Sequence, residues 1–257
     1  MIKILWIPGL GANEVMFIPM LKEFHRYYQF QIQNVFFKYY DVPPNQIQNL
    51  EEYADFLYEK NQTKLSFLYD IVIGCSLGGM ILQTLIHKKK IQSRIYVLLS
   101  TGFHGDQLTF LSKFLTWLVD LIPTRSRRTL QLLISYSYRY FRFDLKFAYQ
   151  FSKMFEDFPT NVFFESPKWI RNWEGIPEDE LFSPNFYVIH GTRDPLLSFK
   201  KIQKTRKPNL VIKKGNHILF ALYPKILTEK IRDFYLSYTR IAQTNSHQKK
   251  KRFRYKI

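Results

Sequence analysis

Two periods of apolar residues alternate over residues 1–102. Lys3 to Ile7 is a continuous β-forming run and predicts a strand, followed by the glycine-rich loop Pro8-Gly9-Leu10-Gly11-Ala12. Pro19 suits the first position of a helix running to about Tyr27, with Leu21 and Phe24 on one face. Gln29 to Phe37 alternates polar and apolar residues and predicts a second strand. After the Pro43-Pro44 break, Asn49 with Glu52 three residues on resembles a capping box, opening a helix that carries Leu50, Tyr53, Ala54 and Leu57. Leu68 to Ile73 is short, β-branched and apolar, the pattern of a strand buried on both faces of a parallel sheet. Helical spacing returns at Leu77, Met80, Ile81 and Leu85, and His87 to Lys90 gathers cations where a helix C-terminus favours them. Arg94 to Ser100 predicts a further buried strand.

The rhythm then breaks. From Phe103 to about Ser183 there is no clear buried strand; Leu108, Leu111, Leu115 and Leu118 predict one amphipathic helix, and Leu130 to Phe158 one or two more. A stretch this long is not a structureless loop in a compact domain, so it reads as an inserted helical cap. Alternation resumes with a strand over Asn185 to Ile189, a helix capped by Ser198, a strand over Leu210 to Ile212 and a helix from Pro224. The expected class is α/β, a mostly parallel sheet of about six strands with helices on both faces. Residues 1–102 and 184–240 would form the core, 103–183 the cap and 241–257 a basic, disordered tail. No internal repeat interrupts this scheme.

Composition narrows the picture. The 257 residues are 46% hydrophobic and 18% aromatic, enough to bury a sizeable core. A single cysteine, Cys75, excludes an internal disulfide and a cysteine-built zinc site. Met1 to Ile7 already reads as a strand rather than a leader, so a cytoplasmic location is the expectation. The nearest approach to a membrane span, Leu108 to Ile122, is interrupted by Lys113 and Asp120. The net charge of +17 concentrates partly in Lys249, Lys250, Lys251, Arg252, Arg254 and Lys256. Such a run reads first as a solvated end; contact with an anionic membrane or nucleic acid is the alternative, and no specific nucleic-acid partner is expected.

The chemistry centres on Gly74-Cys75-Ser76-Leu77-Gly78-Gly79, which joins a predicted strand to a predicted helix. A serine hydroxyl attacks only when a base takes its proton, and imidazole titrates near neutrality. Of the six histidines, His25, His87, His104, His190, His217 and His247, only His217 follows a predicted strand through a Gly-containing turn near the end of the sheet. An orienting carboxylate is also needed, and Asp194, in His190-Gly191-Thr192-Arg193-Asp194-Pro195, lies just past another predicted strand. Asp106 is the alternative acid.

The order Ser76, Asp194, His217, with these surrounding motifs, resembles the α/β-hydrolase family over roughly residues 2 to 240. The resemblance implies that fold, a Ser-His-Asp triad and an oxyanion hole made by the backbone N–H groups of Leu77 and Leu10. The chain departs in two places: Pro8-Gly9 stands where many relatives have His-Gly, and it begins at what would be the family's third strand. The implied activity is hydrolysis of a carboxylic ester or thioester through an acyl-enzyme, with no cofactor or metal. Alternatives are a C–C bond hydrolase or lyase on the same fold, or a basic binding protein.

Around this site, Cys75 is expected as a packed thiol, His190 as a structural residue, and Trp169 and Trp173 as core, with a place in the acyl pocket as their alternative. The cap aromatics Phe110, Phe114, Trp117, Phe141, Phe143, Phe147 and Phe151 are candidates for an acyl-binding wall. Arg125, Arg127, Arg128, Arg139 and Arg142 make the cap basic, which would suit a carrier- or coenzyme A-linked acyl group.

Overall fold

A computed structural model describes residues 1–28, 32–65, 68–140 and 145–254. Among these, the strands are β1 (Ile2–Ile7), β2 (Ile32–Phe36), β3 (Tyr69–Cys75), β4 (Ser93–Leu99), β5 (Phe186–Gly191) and β6 (Leu210–Ile212). They form one sheet in the order β2-β1-β3-β4-β5-β6, every neighbouring pair parallel. Between β1 and β4 lie α1 (Ile18–Tyr28), α2 (Leu50–Lys60), α3 (Gln62–Leu65) and α4 (Leu77–His87). Between β4 and β5 come α5 (Phe110–Asp120), α6 (Thr124–Tyr140), α7 (Leu145–Asp157), α8 (Thr160–Asn172) and α9 (Glu178–Leu181). The chain closes with α10 (Phe199–Thr205), α11 (Leu219–Leu222) and α12 (Pro224–Arg254).

Successive strand residues point to opposite faces, so the uninterrupted apolar runs build two cores. Ile4, Trp6, Ile71, Ile73, Ile95 and Val97 pack with Phe24 of α1 and Leu227 and Ile231 of α12. Leu5, Ile7, Val72, Leu98 and Val188 pack on the other face with Leu57 of α2 and Ile81 and Leu85 of α4. β1 lies between β2 and β3, so the connections that follow β1 and β3 leave the carboxyl ends of adjacent strands where the strand order reverses. In α/β sheets that is where a crevice opens.

Some expectations shift in detail. Leu68 stands outside β3 and is exposed, because the strand pairs only from Tyr69. The strand expected from Gln29 is paired from Ile32, and residues 29–31 lie outside the described residues. Asn49 caps α2 by accepting from the Glu52 N–H at 2.8 Å, and the Glu52 carboxylate reaches back to accept the Gln48 N–H and the Asn49 side-chain amide rather than the Asn49 backbone N–H of a full capping box. Ser198 sits at the cap position of α10 without a side-chain capping bond. Where the charge pattern predicts a disordered tail from residue 241, α12 instead continues to Arg254. No glycine or proline after Pro224 ends that helix, and its Gln, Lys and Arg residues are good helix formers.

The amphipathic helix expected around Leu111 is α5, and its apolar side faces outward. Leu111, Leu115 and Leu118, expected to mark the apolar side of one amphipathic helix, are exposed, as are Phe110, Phe114 and Trp117. The buried side of this helix carries Ser112, while Thr116 and Val119 are half-buried.

Candidate active site

Ser76 sits between β3 and α4 with φ 52° and ψ −121°, a left-handed conformation that non-glycine residues rarely adopt. The surroundings hold it there: its N–H donates to the Leu99 carbonyl at 3.0 Å, and its own carbonyl accepts from Thr101 Oγ1 at 2.7 Å. Gly78 is required by close approach, since a Cβ there would collide with the carbonyl oxygens of Ile7 and Pro8. That contact brings the turn against the loop after β1, where a Cβ on Gly9 would lie 3.3 Å from the Ser76 Cβ. Thr101 carries no sequence signal beyond following a strand, and its role emerges only from the packing.

His217 and Asp194 come from the turns after β6 and β5, and these two turns are fastened together. The Arg193 N–H donates to the Gly215 carbonyl at 2.8 Å, and the Lys214 N–H to Thr192 Oγ1 at 2.9 Å. Gly191 lies so close to the Gly215 backbone that no side chain fits between them. Asp194 Oδ1 accepts the N–H groups of Leu196 and Leu197 at 2.8 and 3.0 Å. Its Oδ2 accepts from His217 Nδ1 at 2.7 Å, and His217 Nε2 lies 2.8 Å from Ser76 Oγ. A carboxylate only accepts, so the imidazole carries its proton on Nδ1 and offers Nε2 as acceptor to the serine O–H.

The electrostatics follow from burial and these bonds. Burial opposes the charge on Asp194, but the hydrogen bond and charge of His217, the charge of His190 and the Leu196 N–H outweigh it and hold the carboxyl below the usual carboxylate range. His190 is fully buried; burial pushes its pKa down to about 4 against the opposing pull of Asp194, whose Oδ2 lies 3.7 Å from Nε2. Neither ring nitrogen of His190 has a hydrogen-bond partner among the described residues. Burial likewise pushes the Cys75 thiol up, so it is packed and protonated.

The other candidates are elsewhere. Asp106 faces Lys201 at the surface, 3.5 Å from its Nζ. His87 pairs with Glu180, His104 with the Glu174 carbonyl, and His25 is exposed. The side chain of His247 lies outside the described residues. Trp169 and Trp173 are core residues, Trp169 against Tyr53.

Ser76 and His217 open into a cavity of about 660 Å³, within the size range of small-molecule sites. Leu10 and Leu77 are in its wall, and Leu77 begins α4, where first-turn N–H groups have no helical partner. The opposite wall comes from the helices between β4 and β5, including Leu115, Val119, Ile134, Phe151, Phe155 and Phe164. Of the aromatics expected to form an acyl wall, Phe151 lines the cavity, whereas Phe110, Phe114 and Trp117 face away. Phe141 and Phe143, and the side chain of Phe147, lie outside the described residues. Among the described residues no charged side chain lines the cavity, and the polar lining is Ser76, Ser112, Thr116, Asn216 and His217. Among the described residues no cluster of His, Cys, Asp and Glu could hold a metal ion, and no helix is long and apolar enough to cross a membrane.

No protein-family model matches the sequence, and no curated protein matches it. Solved structures do match. A thermophilic esterase from Thermogutta terrifontis superposes with a TM-score of 0.65 at 17% identity, covering 93% of this chain and 90% of that one. A carboxylesterase of the thaumarchaeon Nitrososphaera gargenis gives 0.69 at 14%, covering 93% and 91%. The meta-cleavage product hydrolase of Pseudomonas fluorescens gives 0.63 at 14%, covering 92% and 91%. Identities this low speak to architecture, and with the sheet order and the strand-turn-helix around Ser76 they lead to one conclusion: the chain has the α/β-hydrolase fold.

Proposed function

We propose that this protein is a serine hydrolase that cleaves carboxylic esters, or thioesters, with an apolar acyl group. Ser76 is the nucleophile, His217 the base, Asp194 its orienting partner, and the Leu10 and Leu77 N–H groups the oxyanion donors. The observation that carries this reading is the hydrogen-bonded series Ser76–His217–Asp194 opening into an apolar cavity. Ser76 Oγ attacks the carbonyl carbon while His217 Nε2 takes its proton, and the tetrahedral oxyanion is held by the two N–H groups. The intermediate collapses, the C–O bond breaks, and the alcohol leaves with the proton from His217. Water then attacks the acyl-enzyme by the same route and frees the acid. The helices between β4 and β5 act as the cap that selects the acyl group.

The same fold can carry other hydrolytic chemistry, C–C bond hydrolysis included, and one structural neighbour is a meta-cleavage product hydrolase. Among the described residues, however, no charged side chain lines this cavity to meet a substrate carboxylate, and that favours the ester reading. A carrier-linked thioester is a narrower version of the ester reading. Among the cap arginines, Arg127 is occupied with Glu165 at 2.5 Å, Arg128 donates to the Glu156 carbonyl at 2.7 Å, and the side chains of Arg139 and Arg142 lie outside the described residues; exposed Arg125 is the first to test by charge reversal. Turnover of a coenzyme A ester that falls no more than that of a neutral ester removes that version.

A series of p-nitrophenyl esters of increasing acyl length, run on wild type and Ser76→Ala, tests the proposal. We expect turnover by wild type, at least about a thousandfold loss in the variant, and fluorophosphonate labelling that requires Ser76. Absence of both turnover and labelling in the wild type overturns it.

A further inference from the structure

The helix α5 is amphipathic in the wrong sense for a protein interior. At 100° per residue, Phe110, Leu111, Phe114, Trp117, Leu118 and Leu121 share one face, and every one of them is exposed, Phe110 by 88% and Trp117 by 52%. The opposite side, with Ser112, Leu115, Thr116 and Val119, forms part of the wall of the active-site cavity. An outward face built of two Phe, one Trp and three Leu in a continuous stripe is the kind of surface that marks an interaction site.

The charges around this face identify its partner. From Phe110 to Tyr140 the only acidic residue is Asp120, and Arg171 holds it at 2.6 Å. Lys113 lies on the flank of α5, and Arg125 and Arg128 are exposed just beyond its end. Aromatic and leucine side chains on one face, rimmed by basic residues, match a helix lying in the interface of an anionic bilayer, with its rings among the headgroups and acyl boundary. A second copy of the chain would bring the same cations, on a molecule of net charge +17, against one another.

We infer that α5 docks this protein on anionic phospholipid bilayers, with the cavity mouth beside the lipid surface. The helix is anchored for this task at both ends. Thr109, its N-cap, donates through Oγ1 to the Pro195 carbonyl at 2.7 Å, and at the far end Asp120 is tied to Arg171 of α8. The first anchor belongs to the turn that also carries Asp194, so the docking face and the active site share one rigid support. This inference goes beyond ester hydrolysis and does not depend on it.

Tryptophan fluorescence provides the test, because Trp6, Trp169 and Trp173 are buried at 0%, 2% and 3% exposure and Trp117 alone is exposed. Full-length Ser76→Ala protein is titrated with vesicles of phosphatidylcholine alone or mixed with phosphatidylserine, some carrying brominated acyl chains. Expected are a blue shift and bromine quenching on the mixed vesicles, and weaker binding to the neutral ones. Binding by co-sedimentation should fall about tenfold or more in Phe114→Ser/Trp117→Ser. With Ser76 restored, that double variant should melt as the wild type does and turn over a short soluble ester at an unchanged rate. A full-length variant with Lys249, Lys250 and Lys251 changed to Gln should still show bromine quenching. No vesicle binding, equal binding to neutral vesicles, or binding that survives the double variant but is lost with the three lysines overturns the inference. So does a wild-type dimer in sedimentation velocity that the double variant dissociates. Loss of ester turnover with vesicle binding intact would strike the proposed reaction alone.

Discussion

Asp194 keeps a negative charge in a place almost without solvent, and the two N–H groups on Oδ1 and the imidazole on Oδ2 are what make that possible. Replacing it with Asn leaves the shape but turns the tautomer preference around, because an amide can donate to Nδ1 and so leave the Nε2 proton facing Ser76. Asp194→Asn should lower ester kcat on the order of a thousandfold or more with little change in melting temperature. His190 shows the opposite balance. It is buried, has no hydrogen bond to either nitrogen among the described residues, and is pushed down to about 4, so the folded state holds it neutral. Its folded pKa lies below the unfolded value of about 6.5, so its stabilising contribution is present above pH 6.5 and lost as pH falls towards 4. The difference amounts to about 3 kcal/mol across that window. His190→Phe keeps an aromatic ring against Phe199, whose ring centroid is 6.1 Å away, and removes the titration. Urea unfolding followed from pH 7 to pH 4 should therefore show a flatter loss of stability in the variant than in wild type.

Two glycine contacts decide where the elements stand. Gly78 lets the start of α4 press against the end of β1, and Gly191 lets the turn after β5 press against the turn after β6. A methyl group at Gly191 must push the Gly215 backbone away, and His217 lies two residues beyond it. Gly191→Ala should cost about 1–3 kcal/mol in thermal unfolding and lower kcat by more than the stability loss accounts for; a drop in melting temperature with kcat preserved would separate the clamp from the catalytic geometry. At this scale the sequence was readable wherever chemistry narrows the choice. Ser76 stands in a strand-turn-helix that only small neighbours permit, and Asp194 and His217 each follow a β-forming run, so their order and position were legible. Other contacts were not. Thr101 reaches Ser76 across the sheet, and Thr109 reaches Pro195 over a gap of 86 positions; neither leaves a local pattern, because a single hydroxyl satisfies the contact. The direction of the apolar face of α5 was not legible for a similar reason. Leucine at helical spacing declares that a helix has an apolar side, while the direction of that side depends on what the rest of the molecule places beneath it.

For the molecule as a whole, the helices between β4 and β5 are fixed to the sheet domain at several separate points. Leu108 bridges to Leu197, Asn161 bonds Asp41 through its N–H at 3.1 Å, and the Phe155 ring lies over Gly11, whose φ of 73° and missing side chain make room for it. Leu108, Leu197 and Phe155 of these contacts also line the cavity. Ala148 of α7 is buried and lines the cavity from the helical side, on a different element from Ser76, Asp194 and His217. A larger side chain there takes space from the acyl group without touching the hydrogen-bonded series. Ala148→Trp should therefore retain turnover of acetyl esters to within about threefold while lowering kcat/KM for an octanoyl ester by about a hundredfold, as lost apolar contact and a shortened pocket act together. Measured across the p-nitrophenyl series, the preferred acyl length should move towards shorter chains. An even loss at every length would mean that α7 supports the catalytic groups rather than the acyl site, and would relocate substrate selection to α5 and α8.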